Sequence, residues 1–325
     1  MNWENLKERL RGGGQGSFAP FVLPNVVLEV EPDFVAGARL DGSSRQIQRM
    51  GVHEVEAGAL VPLANRPNMA NEPAVRRAVN EVVEKIGNGS GRLGLLVPDA
   101  AVRVGTLVFE TLPGDHREAE ALVRWKMRET LAYPPEEARV SFQVLARKSN
   151  SVELLALAMR SSVLAEYEAA LEGVNGGASL TLPATMALLP LLPDDAGGGQ
   201  LLVHVCSGSV TTVAVAEDRV RFWRQRSLGR ATAEETSQEV AREVARVLAT
   251  CSDHLQVEIS RVWTCARPPG APRLLAELGR VLGREVLPLE GGPAPATTLP
   301  EPERELFARY GMTFSGLVAN AGWER

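Results

Sequence analysis

The feature that most constrains this chain is a single grammar stated twice. Strand-like runs at 26–30, 34–40 and 46–52 lead into a helix and then a continuous apolar run at 93–97. Runs at 201–205, 210–216 and 220–223 lead into a helix, a strand near 261–264, a helix near 273–282 and a strand near 285–289. Three strands, a helix, a strand and more helix, repeated, is an internal duplication. Hairpins feeding buried strands under covering helices make mixed α/β sheets. The punctuation is local. Asn71 and Pro73 open a helix whose Val75, Ala78, Val79, Val82 and Ile86 share a face, and Gly87 ends it. Thr232 and Glu235 have capping-box spacing ahead of Val240, Val244, Val247, Leu248, Cys251 and Leu255. Asp41-Gly42 and Glu217-Asp218 mark tight turns. Several duplicated α/β folds satisfy this pattern.

At 325 residues the chain exceeds the usual single core of about 100–200 residues, so two domains or one divided domain is expected. Hydrophobic and charged fractions of 45% and 23% are those of an ordinary globular protein, and a net charge of -5 argues against generic nucleic-acid affinity. The three cysteines, Cys206, Cys251 and Cys265, form no CxxC and fit a reducing compartment. The charged N-terminal segment lacks the apolar centre of a signal peptide. No run approaches the roughly 18 apolar residues that span a bilayer. The patch at 180–193, broken by Pro183 and Pro190, reads as a short strand and a short helix. A cytoplasmic location follows, with membrane contact only through a partner. Residues 1–17 read as a short helix and Gly-rich tether, 291–302 as a loop, and 306–318 as a terminal helical piece.

Between the two statements lies a different pattern, strand, helix, strand, strand, from Arg103 to Met159. Asp115 can cap a helix and Glu118 can reach back to it. Ala119, Leu122, Val123, Met127 and Leu131 line one face of that helix, with Arg117, Glu120, Arg124 and Arg128 on the other. Pro134 and Pro135 forbid continuation, and Val140, Phe142 and Val144 alternate as a half-buried strand. After this small α+β module, Ser161 or Ser162 caps a further helix carrying Val163, Leu164, Tyr167 and Leu171.

The segment LVRWKMRETLAYPPEEARVSFQVL resembles the insert subdomain of the PilM family of type IV pilus assembly proteins, relatives of FtsA in the actin-like superfamily. The resemblance extends over roughly Val26 to Leu289. It implies duplicated actin-like (ribonuclease-H-like) halves with an α+β insert. The expected division is a mobile segment 1–20, a first half at 21–102, the insert at 103–175, a return to the first half with a joint at 176–199, and a second half at 200–325.

Actin-like ATPases cradle phosphates in the opening hairpin of each half, using a Gly-rich turn and an Asp that organises Mg²⁺. The matching positions here are Glu29, Val30, Glu31, Pro32 and Asp33. Pro32 has no N–H to donate, and Glu31 puts a negative charge where phosphate would sit. At about 4 Å and an effective dielectric near 20, that repulsion is roughly 4 kcal/mol per unit charge, about half the free energy of micromolar binding. In the second hairpin His204, Cys206, Gly208 and Ser209 occupy the motif, and His204 offers no hard oxygen to magnesium. Where a glycine run would approach adenosine, the chain has Cys265, Ala266, Arg267 and Pro268. The resemblance, read through these substitutions, implies little or no ATP or Mg²⁺ binding and no ATPase activity. The competing readings are an actin-like ATPase with a divergent pocket and a GspL-like type II secretion component.

By the same resemblance the partner is the cytoplasmic tail of a PilN-like inner-membrane protein, held in a groove between the first half and the insert, within the pilus assembly machinery. Val104, Leu107, Phe109, Arg124, Trp125, Arg128 and Tyr133 are the expected groove residues. Trp125 reads either as a core-edge residue or as an exposed anchor. Other groupings stay open from the residues alone. Glu29, Glu31 and Asp33 would share a face of an extended segment and suit a divalent cation, or form a solvated acidic edge. Arg219, Arg221, Arg224, Arg226 and Arg230 around Phe222 and Trp223 suit a single-stranded nucleic acid, or a solvated strand or protein interface. His53, His116 and His254 lie apart and near no nucleophile, so a catalytic triad is not expected.

Overall fold

The structure is a computed structural model, and it describes residues 24–42, 47–87, 93–174, 176–193, 198–206, 208–229, 232–266, 270–289, 301, 302 and 305. The expected N-terminal helix, the loop core at 291–300, the terminal helical piece, Arg230, Arg267 and Pro268 lie outside the described residues.

In the first half, β1 (Val26–Val30), β2 (Phe34–Leu40) and β3 (Ile47–Glu54) form an antiparallel meander, followed by α1 (Glu72–Ile86) and β4 (Leu93–Val97). The chain then leaves for the insert, β5 (Arg103–Phe109), α2 (His116–Met127), β6 (Ala138–Lys148) and β7 (Ser151–Arg160). It returns through α3 (Ser161–Ala169), β8 (Ala178–Pro183) and α4 (Ala184–Leu188). The second half is β9 (Gly199–Cys206), β10 (Ser209–Ala216), β11 (Arg219–Ser227), α5 (Ala233–Asp253), β12 (Ile259–Ala266), α6 (Ala271–Leu282) and β13 (Val286–Pro288).

The duplication is explicit in the sheets. Their strand orders are β3-β2-β1-β4-β8 and β11-β10-β9-β12-β13, with the outer hairpins antiparallel and the remaining pairs parallel. The insert has its own antiparallel sheet, β5-β7-β6. Side-chain alternation gives each large sheet two buried faces. Leu28, Val30 and Leu95 pack under α1 and α3, and Leu201, Val203 and Val262 pack under α5 and α6. The opposite faces meet in one core between the halves, where Val27, Phe34, Ala36 and Leu96 join Leu202, Val213, Val220 and Cys265 around Met186–Leu189 of the linking segment. Sheets buried on both faces explain the near-continuous apolar runs at β1, β4 and β9.

Local signals place the elements. The Asn71 side chain accepts from the Ala74 N–H at 3.3 Å, Pro73 sits in the first turn, and Gly87 closes α1 at φ 81°. Thr232 and Glu235 form both bonds of the capping box on α5. Asp115 accepts from the N–H groups of Arg117 (2.9 Å) and Glu118 (3.1 Å). Glu217 and Asp218 both have positive φ, 53° and 54°, as the two-residue turn between β10 and β11 requires.

Three expectations are corrected. Neither Ser161 nor Ser162 caps α3: the N-cap is Arg160, and the Ser161 hydroxyl donates to the Glu137 carbonyl at 2.8 Å. Helix α2 stops at Met127, before Leu131, because the Thr130 N–H and hydroxyl both turn back onto the Met127 carbonyl. Finally, Val163, Tyr167 and Leu171 join the core of the first half, so the insert's own elements end at Arg160 rather than near residue 175.

A loop between β3 and α1 ties insert and first half together. Ala64 is buried in the core of the insert with Val123, Met127 and Tyr133. Fully buried Asn68 donates its N–H to Glu166 Oε2 (2.6 Å) and its amide to the Leu63 and Arg66 carbonyls (2.7 Å each), and accepts from the Tyr167 hydroxyl (3.1 Å). Arg160 donates to the Asn65 carbonyl at 2.7 Å.

Candidate functional site: the cleft between the two halves

Register relates the two opening hairpins residue by residue. Glu29 lies opposite Ala36 on β2, and His204 lies opposite Thr211 on β10, each pair separated by seven residues. On the parallel side Glu29 faces Leu96 and His204 faces Cys265. Glu29 and His204 therefore hold the same seat in the two halves, and both point away from the covering helices toward the facing sheet. Both are buried.

At this level four polar side chains from four elements converge. Asp99 follows β4, where the chain turns into a single 3₁₀ turn, Asp99–Ala101. Thr185 opens α4, His204 is on β9 and Thr211 on β10. Asp99 Oδ1 accepts from the Thr185 N–H at 3.0 Å, and its Oδ2 accepts from the hydroxyls of Thr185 and, at 2.7 Å, Thr211. His204 Nδ1 is 2.7 Å from Thr185 Oγ1 and 3.5 Å from Asp99 Oδ2. The Thr185 hydroxyl has one proton, which goes to Asp99, so its oxygen accepts from His204 and Nδ1 carries hydrogen. The order is His204 N–H to Thr185 O–H to Asp99, with Thr211 arriving from the other side. Burial by itself would raise the Asp99 carboxyl. The His204 ring and the hydroxyls of Thr185 and Thr211 outweigh it and hold the group below its ordinary value.

The remaining motif positions are dispersed, and of them Cys265 lies next to this network. Cys265 is buried beside His204, and burial, with the carboxylates of Glu29 and Asp99 nearby, pushes its thiol well up. It is an inert core thiol. Cys206 is half-buried at the end of β9 opposite Ser209. Glu31 is buried too, so the solvated acidic edge expected there is not observed, and Asp33 is half-buried. The turn of the first hairpin closes on itself, with the Glu31 N–H given to the Phe34 carbonyl at 2.8 Å and Pro32 offering none. Gly208 at the second tip is exposed at φ 73°. Among the described residues no group of three or more His, Cys, Asp or Glu side chains is arranged to hold a metal ion.

The seven expected groove residues fall into three environments. Phe109 and Tyr133 belong to the core of the insert, and Leu107 is partly buried against it. Burial pushes the Tyr133 phenol up to about 12, opposed by Arg103 and Arg160. Val104 is half-buried where the insert meets both large cores. Trp125 is 56% exposed, on the face of α2 opposite Ala119, Val123 and Met127, with the Arg128 guanidinium 3.8 Å from its ring centroid. It is therefore not a core-edge residue. Arg124 pairs along the helix with Glu120 at 2.5 Å. Strand β5 is an edge of its sheet, with Val108 58% exposed.

The arginines of β11 are neutralised by carboxylates. Arg219 meets Glu153 (3.3 Å) and Glu217, Arg221 meets Glu217 (3.3 Å), and Arg224 and Arg226 converge on buried Glu243 at 2.6 and 2.9 Å. A stripe so paired has little charge left for a phosphate backbone. His116 stacks on Phe142, with ring centroids 5.4 Å apart, and His254 ends α5.

Neither a protein-family model nor a curated protein sequence matches the chain. Solved structures do. The PilM–PilN type IV pilus biogenesis complex is similar over 93% of this chain and 100% of that chain, with a TM-score of 0.74 at 17% identity. A Bacteroides thetaiotaomicron protein with an actin-like ATPase fold and unknown function is similar over 81% of this chain and 89% of that one, with a TM-score of 0.53 at 9% identity. The cytoplasmic domain of EpsL, an inner-membrane component of the Vibrio cholerae type II secretion system, matches over 74% of this chain and 81% of its own, with a TM-score of 0.46 at 10% identity. The chain therefore has the actin-like fold, in a form similar to PilM along nearly its whole length.

Proposed function

We propose that this chain is a non-catalytic scaffold in the assembly of type IV pili or a related secretion apparatus, and that it binds the cytoplasmic tail of a PilN-like inner-membrane protein. The observation that carries this reading is the likeness to the PilM–PilN complex, which spans the insert as well as both halves. Among the described residues no helix is long and apolar enough to cross a membrane, in keeping with attachment through a partner on the cytoplasmic face.

The scaffold reading treats the nucleotide seat as lost. Its support is chemical: buried Glu29 and Glu31 on one side, and His204 engaged by Thr185 on the other. The test is calorimetry with a synthetic peptide of the cytoplasmic tail of a PilN-like inner-membrane protein, expected to bind at tens of micromolar or tighter. No heat at that concentration would remove the scaffold assignment. In parallel, Mg-ATP should leave the melting temperature unchanged, since a ligand that binds only the native state must raise it. A measurable rise, or steady ATP turnover, would favour an actin-like ATPase with a divergent pocket.

A further inference from the structure

We propose that Asp99, Thr185, His204 and Thr211 form a latch made of the chain's own side chains, which fixes the two halves in one relative orientation without any ligand. Asp99 and Thr185 come from the first half, His204 and Thr211 from the second. Each of the four is buried. The network crosses the cleft at two points, Thr211 to Asp99 at 2.7 Å and His204 to Thr185 at 2.7 Å. Two crossing points resist rotation as well as separation.

The chemistry makes the closed arrangement self-sufficient. An ionised carboxylate out of water must be met by donors, and Asp99 has three within the protein. Moving the halves apart removes Thr211 from Asp99 and His204 from Thr185, leaving the carboxylate with only the two Thr185 donors. Among the described residues the other ionisable groups facing the network are Glu29 from β1 and Cys265 from β12, and neither a carboxylate nor a buried thiol replaces a hydroxyl donor to Asp99. Leu96, Leu202 and Val213 enclose the same level of the cleft and oppose entry of water. In actin-like ATPases this space is where a nucleotide would bridge the halves; here side chains span it. This inference concerns the posture of the protein and stands whether or not the tail peptide binds.

The experiment measures the distance between the halves. Spin labels are placed at Asn80→Cys on α1 and Ala249→Cys on α5, both exposed, in a Cys206→Ser background that leaves only buried native thiols. The unmodified network should give one narrow distance, the same with and without Mg-ATP. His204→Leu and Thr211→Val should each broaden it and add a second, longer distance. His204→Gln, whose side-chain amide can donate to Thr185, should restore the narrow distribution. Because substitution of Asp99 perturbs every bond of the hub at once, Thr211→Val serves as the milder variant, with a cooperative melt as the check on folding. A broad distribution in the unmodified protein, a shift on adding Mg-ATP, or a His204→Leu distribution as narrow as the starting one would each overturn the proposal.

Discussion

The two halves share one topology and one register, yet they fill the same seat with opposite chemistry. In the first half that seat is Glu29, opposite Ala36 and beside Leu96. In the second it is His204, opposite Thr211 and beside Cys265. The duplicated frame is set by apolar alternation and hairpin length, which tolerate any residue that fits. The seat itself faces the other half, so its identity is set by what crosses the cleft. The first half supplies acceptors and the second supplies donors. A duplicated fold can thus stop being symmetric at a few cleft positions while remaining symmetric everywhere its own core decides.

The sharpest way to break this comparison is Asp99→Ala. It leaves Thr211 and the Thr185–His204 pair without their acceptor, and removing one member of a buried charge-bearing network costs about 3–5 kcal/mol. Urea denaturation should show that loss, and a change under about 1 kcal/mol would mean the network contributes little.

Next come paired changes at equivalent positions. Thr211→Val keeps the shape but removes a hydroxyl bond to a carboxylate, worth about 1.5–3 kcal/mol. Its counterpart Ala36 is fully buried in the core between the halves, so Ala36→Thr adds bulk and an unpaired hydroxyl at a cost of about 1–3 kcal/mol. If Ala36→Thr were neutral in chemical denaturation, the claimed asymmetry of the seats would fail. One step along, Gly37→Ala should cost a similar amount, because its Cβ would lie 2.7 Å from both Leu28 Cδ2 and Val82 Cγ1. The second half has Thr212 at the equivalent place, its hydroxyl bonded to the Arg224 carbonyl.

A pH series gives a smaller signal. Asp99 has a depressed carboxyl in the folded state, so its stabilisation is complete above the unfolded carboxylate value near 4 and is lost as pH falls through the lower folded value. Acid melts of Asp99→Asn should be flatter than those of the unmodified protein across that window, and parallel curves would contradict the assignment. Trp125→Ala should have the smallest effect on stability, within about 0.5 kcal/mol, because the ring is exposed and touches mainly Arg128. The same variant weakening tail binding in calorimetry would place Trp125 in the partner surface.

How much of this could be read from the sequence follows from distance along the chain. The caps at Asn71, Asp115 and Thr232 were legible because each cap and its partner lie within a turn. So was the duplicated grammar, since apolar alternation is local. His204 was legible as a displaced motif residue, but Asp99, Thr185 and Thr211 were missed. The partners of Asp99 lie 86 and 112 residues away. The available signal was a carboxylate directly after a buried strand and a hydroxyl inside the apolar stretch around Met186. The burial of Phe109 and Tyr133 in the core of the insert was not legible either, because an aromatic residue has the same local pattern in a groove as in a small core.

The loop that carries Ala64 into the insert has a mechanical consequence. Seated in one core through Ala64 and clamped through Asn68 to Glu166 and Tyr167, it makes the insert and the first half a single lever. Force applied to the insert would pass from β5 directly into the short turn Asp99–Ala101, and so arrive at the joint between the lobes rather than dissipate in a swinging appendage.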